Sequence, residues 1–200
     1  MKLATQIDGR HAAGISDAVR EPVHSRSIEM QGYKRNDGLY EVEGRLLDRK
    51  PHDFLPLIHS GRSVPAHEPI HEMVVRVVYD ERLVVRAINS TTSAAPYANC
   101  HQGGQALQSV VGLAMTKGWS KEIKKRLGGS RCCTHLMELL IPMATTAFQS
   151  LSTDSRSQPE RVDVTGRPLK IDSCFAYGAH GELVQREWPE FFRPAKPYAQ

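Results

Sequence analysis

The chain has 200 residues, of which 40% are hydrophobic, 24% charged and 6% aromatic, proportions that describe one globular domain and exclude collagen-like, prion-like and coiled-coil architectures. No apolar run approaches the roughly 18 to 20 residues of a membrane helix, and the opening MKLATQIDGRHAAG lacks the apolar stretch of a signal peptide, so a cytoplasmic chain without a membrane partner is expected. The formal charge of +4 arises from 26 basic residues interspersed with 22 acidic ones, and with neither a dense basic stripe nor a nucleic-acid motif, no nucleic-acid partner is expected.

Residues 1–22 are polar and alanine/glycine-rich without a sustained period, closing at Glu21-Pro22, and read as a flexible arm. A single α+β domain over 23–188 and a tail over 189–200 follow. Two alternating apolar runs, His24 to Tyr33 and Leu39 to Asp48, flank Asn36-Asp37-Gly38 and predict a hairpin. Residues 49–69 are punctuated by prolines and read as loop. Dense β-branched residues then predict a second hairpin, Ile70 to Tyr79 and Leu83 to Thr92, turning at Asp80-Glu81-Arg82.

The period changes after Ala95-Pro96-Tyr97. Leu107, Val110, Val111 and Ala114 recur at helical spacing, Ser120 to Leu127 predicts a second helix capped by Ser120 and stopped at Gly128-Gly129, and Cys133 to Leu151 predicts the longest. In the last, Leu136, Leu139, Leu140, Met143, Ala147 and Leu151 form the buried stripe, and Pro142 predicts a kink or a freed carbonyl. Ser152 to Gly166 reads as a surface loop, and Leu169 to Tyr177 with Glu182 to Trp188 as a closing hairpin about Ala179-His180-Gly181. Strands, helices, then strands give α+β: an antiparallel sheet with three helices on one face. Trp188, Phe191 and Phe192 near the end suit either the chain's own core or a homodimer contact.

Four cysteines, Cys100, Cys132, Cys133 and Cys174, are too few for a disulfide scaffold and lean towards reduced thiols or metal ligands. The sharpest local feature is Cys132-Cys133-Thr134-His135, with Glu138 three residues further, at the start of the longest helix. A thiol there faces unpaired N–H groups and the positive end of the dipole. Cys100 precedes another predicted helix, and His71 and Glu72 open a strand. If these converge, Cys100, Cys133, His135 and His71 could hold zinc or iron, or the cysteines could simply pack as small hydrophobes. Cys174, between apolar neighbours, reads as core. A basic and aromatic cluster, His24, Arg26, Tyr33, Lys34, Arg35, Asp37, Arg45, Lys50 and His52, is either solvated surface or, with His24, Arg26 and Ile28 on one face, a clamp for a carboxylate or phenolate. No P-loop, G-x-G-x-x-G or G-x-S-x-G occurs, so no nucleotide cofactor is expected.

The series HSRSIEMQGYKRNDGLYEVEGRLLDRKPHDF, EPIHEMVVRV, AAPYANC, GWSKEIKKRLGGSRCCTHLMELLIPMATTAFQ and IDSCFA resembles a bacterial domain-of-unknown-function family, number 2889, over about residues 24 to 176. That resemblance implies a place among bacterial catabolic gene sets, including those for aromatic compounds. More distantly, the order of strand, strand, Cys100 loop, helix, glycine break, helix and Cys133/His135 helix over residues 70 to 151 is similar to iron-sulfur scaffolds of the NifU and IscU type. This likeness implies a zinc or cluster site, in which Cys100 matches the middle cysteine and Cys132 to His135 the final His-Cys pair. Where those scaffolds place their first cysteine this chain has Ile70-His71-Glu72, which implies a mixed-ligand or metal-free pocket.

Two functions follow as expectations. One is a small-molecule enzyme, a cofactor-independent or metal-assisted lyase that cleaves a C–C or C–O bond of an aromatic compound, with His135 or His71 as base and Tyr33, Tyr97 or Arg131 as oxyanion partners. The other is a non-catalytic metal or iron-sulfur carrier.

Overall fold

The computed structural model describes residues 19–58, 60–151, 160 and 162–194; most of the expected arm and of the loop over 152–166 lies outside them. The chain divides into two compact units, residues 1–150 and 151–200, and each is described by itself.

In the first unit β1 (Ser25–Lys34), β2 (Tyr40–Arg49), β3 (His71–Tyr79) and β4 (Val85–Ala94) form an antiparallel sheet in the order β1-β2-β3-β4. The first turn follows from its residues: Gly38 takes a φ of +84°, which an L side chain resists, and Asp37 accepts the N–H of Leu39 at 3.2 Å. At the second turn the Asp80 carboxylate accepts the N–H groups of Arg82 and Val84, both at 2.9 Å.

Alternation fixes which face is buried. Val42, Gly44, Leu46 and Asp48 of β2 and Met73, Val75, Val77 and Tyr79 of β3 point the same way, towards α2 (Thr134–Leu151). α2 answers with Leu136, Leu139, Leu140, Met143 and Ala147, all fully buried, at the spacing read from the sequence; Leu151 is only half-buried. Gly32 and Gly44 let it approach: a Cβ on Gly32 would lie 1.9 Å from Ser150 Oγ, and one on Gly44 3.0 Å from Met143 Sδ. The helix runs unbroken through Pro142. The Trp119 indole N–H donates to the Leu140 carbonyl at 2.7 Å and the Tyr79 hydroxyl to the Ala147 carbonyl at 3.2 Å, so side chains from two other elements grip the backbone of α2 on either side of the proline. Tyr79→Phe, which keeps the ring and removes that donor, is expected to lower unfolding free energy by about 1 kcal/mol in urea titration.

α1 (Trp119–Leu127) buries Trp119, Ile123 and Leu127 and stops at Gly128, as its sequence predicts, but begins after Gly118 with no side-chain cap, so Ser120 is inside the helix rather than its cap. The helix expected around Leu107 to Ala114 is instead two 3-10 turns, Ala98–Gln102 and Gln105–Val110, followed by a segment whose Gly112 takes a φ of +87° and whose Leu113 carbonyl accepts Val85 N–H. Glycines at 103, 104 and 112 confine the helical rhythm to single turns, and pairing with β4 claims the rest.

The second unit replaces the expected closing hairpin with turns and α3 (Glu182–Glu187). Asp172 there accepts the N–H of Ala179 at 2.8 Å, and Ile171, Ala179 and Val184 form a small core against which Trp188 and Phe191 pack. The alternation that suggested strands serves this one-sided cluster. Cys174, expected in the core, is exposed. The architecture is α+β, with helices additional to the sheet in both units. No helix among the described residues is long and apolar enough to cross a membrane.

Candidate functional site

The position of Asp48 follows from the strand period. It is the last inward residue of β2, where Val42 and Leu46 set an apolar rhythm, and it is 1% exposed. A carboxylate there needs partners, and β1, β3 and the residue just before β1 supply them. Arg26, its register partner on β1, donates from Nε to Oδ1 and from Nη2 to Oδ2, each at 2.8 Å. His71, its register partner on β3, places Nδ1 3.0 Å from Oδ2. His24 Nε2 lies 3.4 Å from Oδ1.

The start of α2 closes the site. The His135 ring lies 4.2 Å from that of His71, centroid to centroid, and Glu138 Oε2 is 3.8 Å from Arg26 Nη1. Ligand atoms of Asp48, His71 and His135 all lie within 4.8 Å of one another; among the described residues this is the group of three or more histidine, cysteine and acidic side chains so arranged. Cys133 stands beside it, its Sγ 3.9 Å from His135 Nδ1 and 3.9 Å from Met73 Sδ.

The electrostatics follow the geometry. Burial pushes the Asp48 carboxyl up, but the Arg26 hydrogen bonds and charge, with His71, overcome it and hold the group below its usual value. His71 is shifted down, first by burial and then by the neighbouring charge of His135, against the pull of Asp48. Burial pushes the Cys132 thiol up to about 11. Burial also pushes the half-buried Cys133 thiol up, yet His135 and the backbone N–H groups of Leu136 and His135 at the helix start hold it below the ordinary value.

The residues singled out in the sequence divide accordingly. His71, His135 and Cys133 come together. Cys100 sits half-buried in the 3-10 turn Ala98–Gln102, outside the donor group. Arg131 donates to the carbonyls of Lys125 and Arg126, both at 3.0 Å, and so closes the C-terminal end of α1. Tyr33 is an exposed residue of β1, seven positions along the strand from Arg26 and so at the other end of the sheet. Tyr97 packs beside Gly61, where a Cβ would meet its ring at 2.9 Å; Gly61, Pro96 and Ala98 line an open groove of about 920 Å³. Pro69, two residues before His71, and Ala94, the register partner of Glu72, both line that groove. In the basic cluster, Arg26 does clamp a carboxylate, and it is the chain's own. Asp48 is the member that sequence reading missed, although a charged residue at an inward position of an alternating strand was its signal.

A family model described as a protein of unknown function (DUF2889) matches residues 24–149. The chain belongs to that family. The matched segment contains every member of the cluster, from His24 to Glu138. No curated protein and no solved structure matches the chain, so nothing in these comparisons supports the likeness to NifU and IscU scaffolds, and the first helix of that order is the pair of 3-10 turns.

Proposed function

We propose that this family member is a small-molecule enzyme, a lyase that cleaves a C–C or C–O bond by acid/base chemistry at the Asp48–His71–His135 cluster. The observation that supports this reading is a buried carboxylate gripped by a guanidinium and an imidazole, with a second imidazole tilted at 43° against the first. A buried ion pair contributes little net stability relative to apolar packing of the same volume, so concentrating four ionisable groups where the strand pattern calls for an aliphatic side chain is accounted for better by chemistry than by folding. In a lyase reaction an imidazole takes the proton of a substrate hydroxyl, and nearby cations, Arg26 foremost, stabilise the anion that develops as the bond breaks. Arg26, His24 and Glu138 are each more than a third exposed on the side chain, so the centre is open to a ligand. A groove of about 920 Å³ lined by residues of 60–69 and 93–101 has the volume of a small-molecule site, and an aromatic substrate is the class that the family resemblance implies.

An iron-sulfur cluster calls for thiolates, and the donor group contains none, which counts against the cluster form of the carrier reading. The test is a mass-spectrometric screen of hydroxylated aromatic compounds, comparing the wild-type chain with His71→Ala and His135→Ala. A turned-over compound is expected to lose at least about 100-fold in rate in both variants, the scale of a removed general acid or base. Turnover that both variants retain would refute the site.

A further inference from the structure

We infer that the Asp48–His71–His135 cluster is a binding site for one divalent transition-metal ion of the zinc or iron(II) class; the inference rests on the reading above and specifies how that centre works.

Two ligand atoms that each lie about 2.1 Å from one ion are about 3.4 Å apart at the tetrahedral angle zinc prefers and about 3.0 Å apart at right angles, and Asp48 Oδ2 and His71 Nδ1, separated by 3.0 Å, lie at the short end of that span. A proton or a metal ion can bridge such a pair. His135, on a different element, brings a third donor within 4.8 Å of the other two, a span that side-chain rotation has to shorten for all three to reach one ion. Three ligands from a sheet and the first turn of a helix sit on one side of an ion and leave its remaining positions for a substrate oxygen and water. Two imidazoles with one carboxylate suit zinc and iron(II) better than calcium or magnesium, which favour all-oxygen sets.

The surroundings have the form of an outer shell. Arg26 holds both Asp48 oxygens from the side away from His71 and fixes the carboxylate plane while leaving lone-pair capacity on Oδ2. With an ion bound, the imidazoles become its ligands, and the ion supplies a Lewis acid and an acidified water in place of an imidazole base. Cys133, outside the donor group, belongs to this shell through its contact with His135, and Cys100 takes no part.

The test uses the full chain, purified without a tag and stripped with a chelator, then titrated with cobalt(II) under visible absorption and with zinc by calorimetry. One equivalent is expected to bind, with at least about 100-fold weaker affinity in His135→Ala and His71→Ala, a smaller loss in Cys133→Ser, whose Sγ lies against His135, and affinity within about threefold of wild type in Cys100→Ser. His135→Gln, which keeps volume at a half-buried site, is expected to lose the ion while matching the wild-type thermal melt. Uptake below about a tenth of an equivalent, histidine variants that bind as the wild type does, or loss confined to the cysteine variants would each overturn the inference. Failure here is separable from failure of the lyase reading. A metal-free protein whose turnover still collapses in His71→Ala and His135→Ala keeps the reaction centre and discards the ion, whereas turnover indifferent to both histidines discards the centre itself.

Discussion

Asp48→Ala is expected to lower the unfolding free energy by about 2–4 kcal/mol, measured by urea titration of the intact chain, because it leaves Arg26 without its bidentate partner at a half-covered site. The lower part of the range for a broken buried pair applies because the Arg26 side chain keeps 36% of its exposure. Removing both charges is expected to behave differently. In Arg26→Met with Asp48→Leu the strand regains the apolar rhythm of Val42 and Leu46, and stability should return to within about 1 kcal/mol of wild type or exceed it. The two results together decide what the pair is for. If the apolar double variant folds normally yet neither turns over a substrate nor takes up cobalt, the charges serve chemistry. If it is several kcal/mol less stable than wild type, the pair is structural and the functional argument from Asp48 fails.

That argument depends on residues of unequal legibility in the sequence. The sheet was readable because the signals are local: Asn36-Asp37-Gly38 sets the turn, and counting outward from it pairs Arg26 with Asp48, as the register has them. The same count, with the period-two alternation, would have placed Asp48 inward beside Arg26 had the charged residue been weighed as an exception to its strand. His71 was out of reach by counting, because the loop of 49–69 separates it from β2 and its register is set by tertiary contacts such as the Ile70 N–H on the Asp48 carbonyl at 2.9 Å. His135 was assigned to the right helix start, but the convergence expected of Cys100 required a helix after it, and the glycines at 103 and 104 allow only 3-10 turns there. The closing hairpin failed for a related reason. A short one-sided cluster around Ile171 and Val184 produces an alternating pattern without a partner strand, and only the three-dimensional core separates the two.

Those same glycines lead to the second large effect. The Cys133 N–H donates to the Gly103 carbonyl at 2.9 Å, and a Cβ on Gly103 would lie 2.7 Å from Cys133 Cβ. Both atoms sit next to backbone, so neither can swing away as the end of a long side chain could. The φ of Gly103 is −64°, so alanine suffers no backbone strain there, and the contact alone must be relieved. The cheapest relief is a shift of the 3-10 turn or of the first turn of α2, which carries Cys133 and His135. Gly103→Ala is therefore expected to cost about 1–3 kcal/mol by overpacking and, unlike a typical core substitution of that size, to weaken cobalt(II) uptake as well, since His135 moves with Cys133. Gly38→Ala is the matched control. It meets open space at a φ of +84°, so it should cost about 1 kcal/mol through backbone strain alone and leave metal uptake unchanged. Equal metal affinity in the two variants would mean that the 3-10 turn does not position the head of α2, and the placement of His135 would then rest on the helix packing of Leu136, Leu139 and Leu140 by itself.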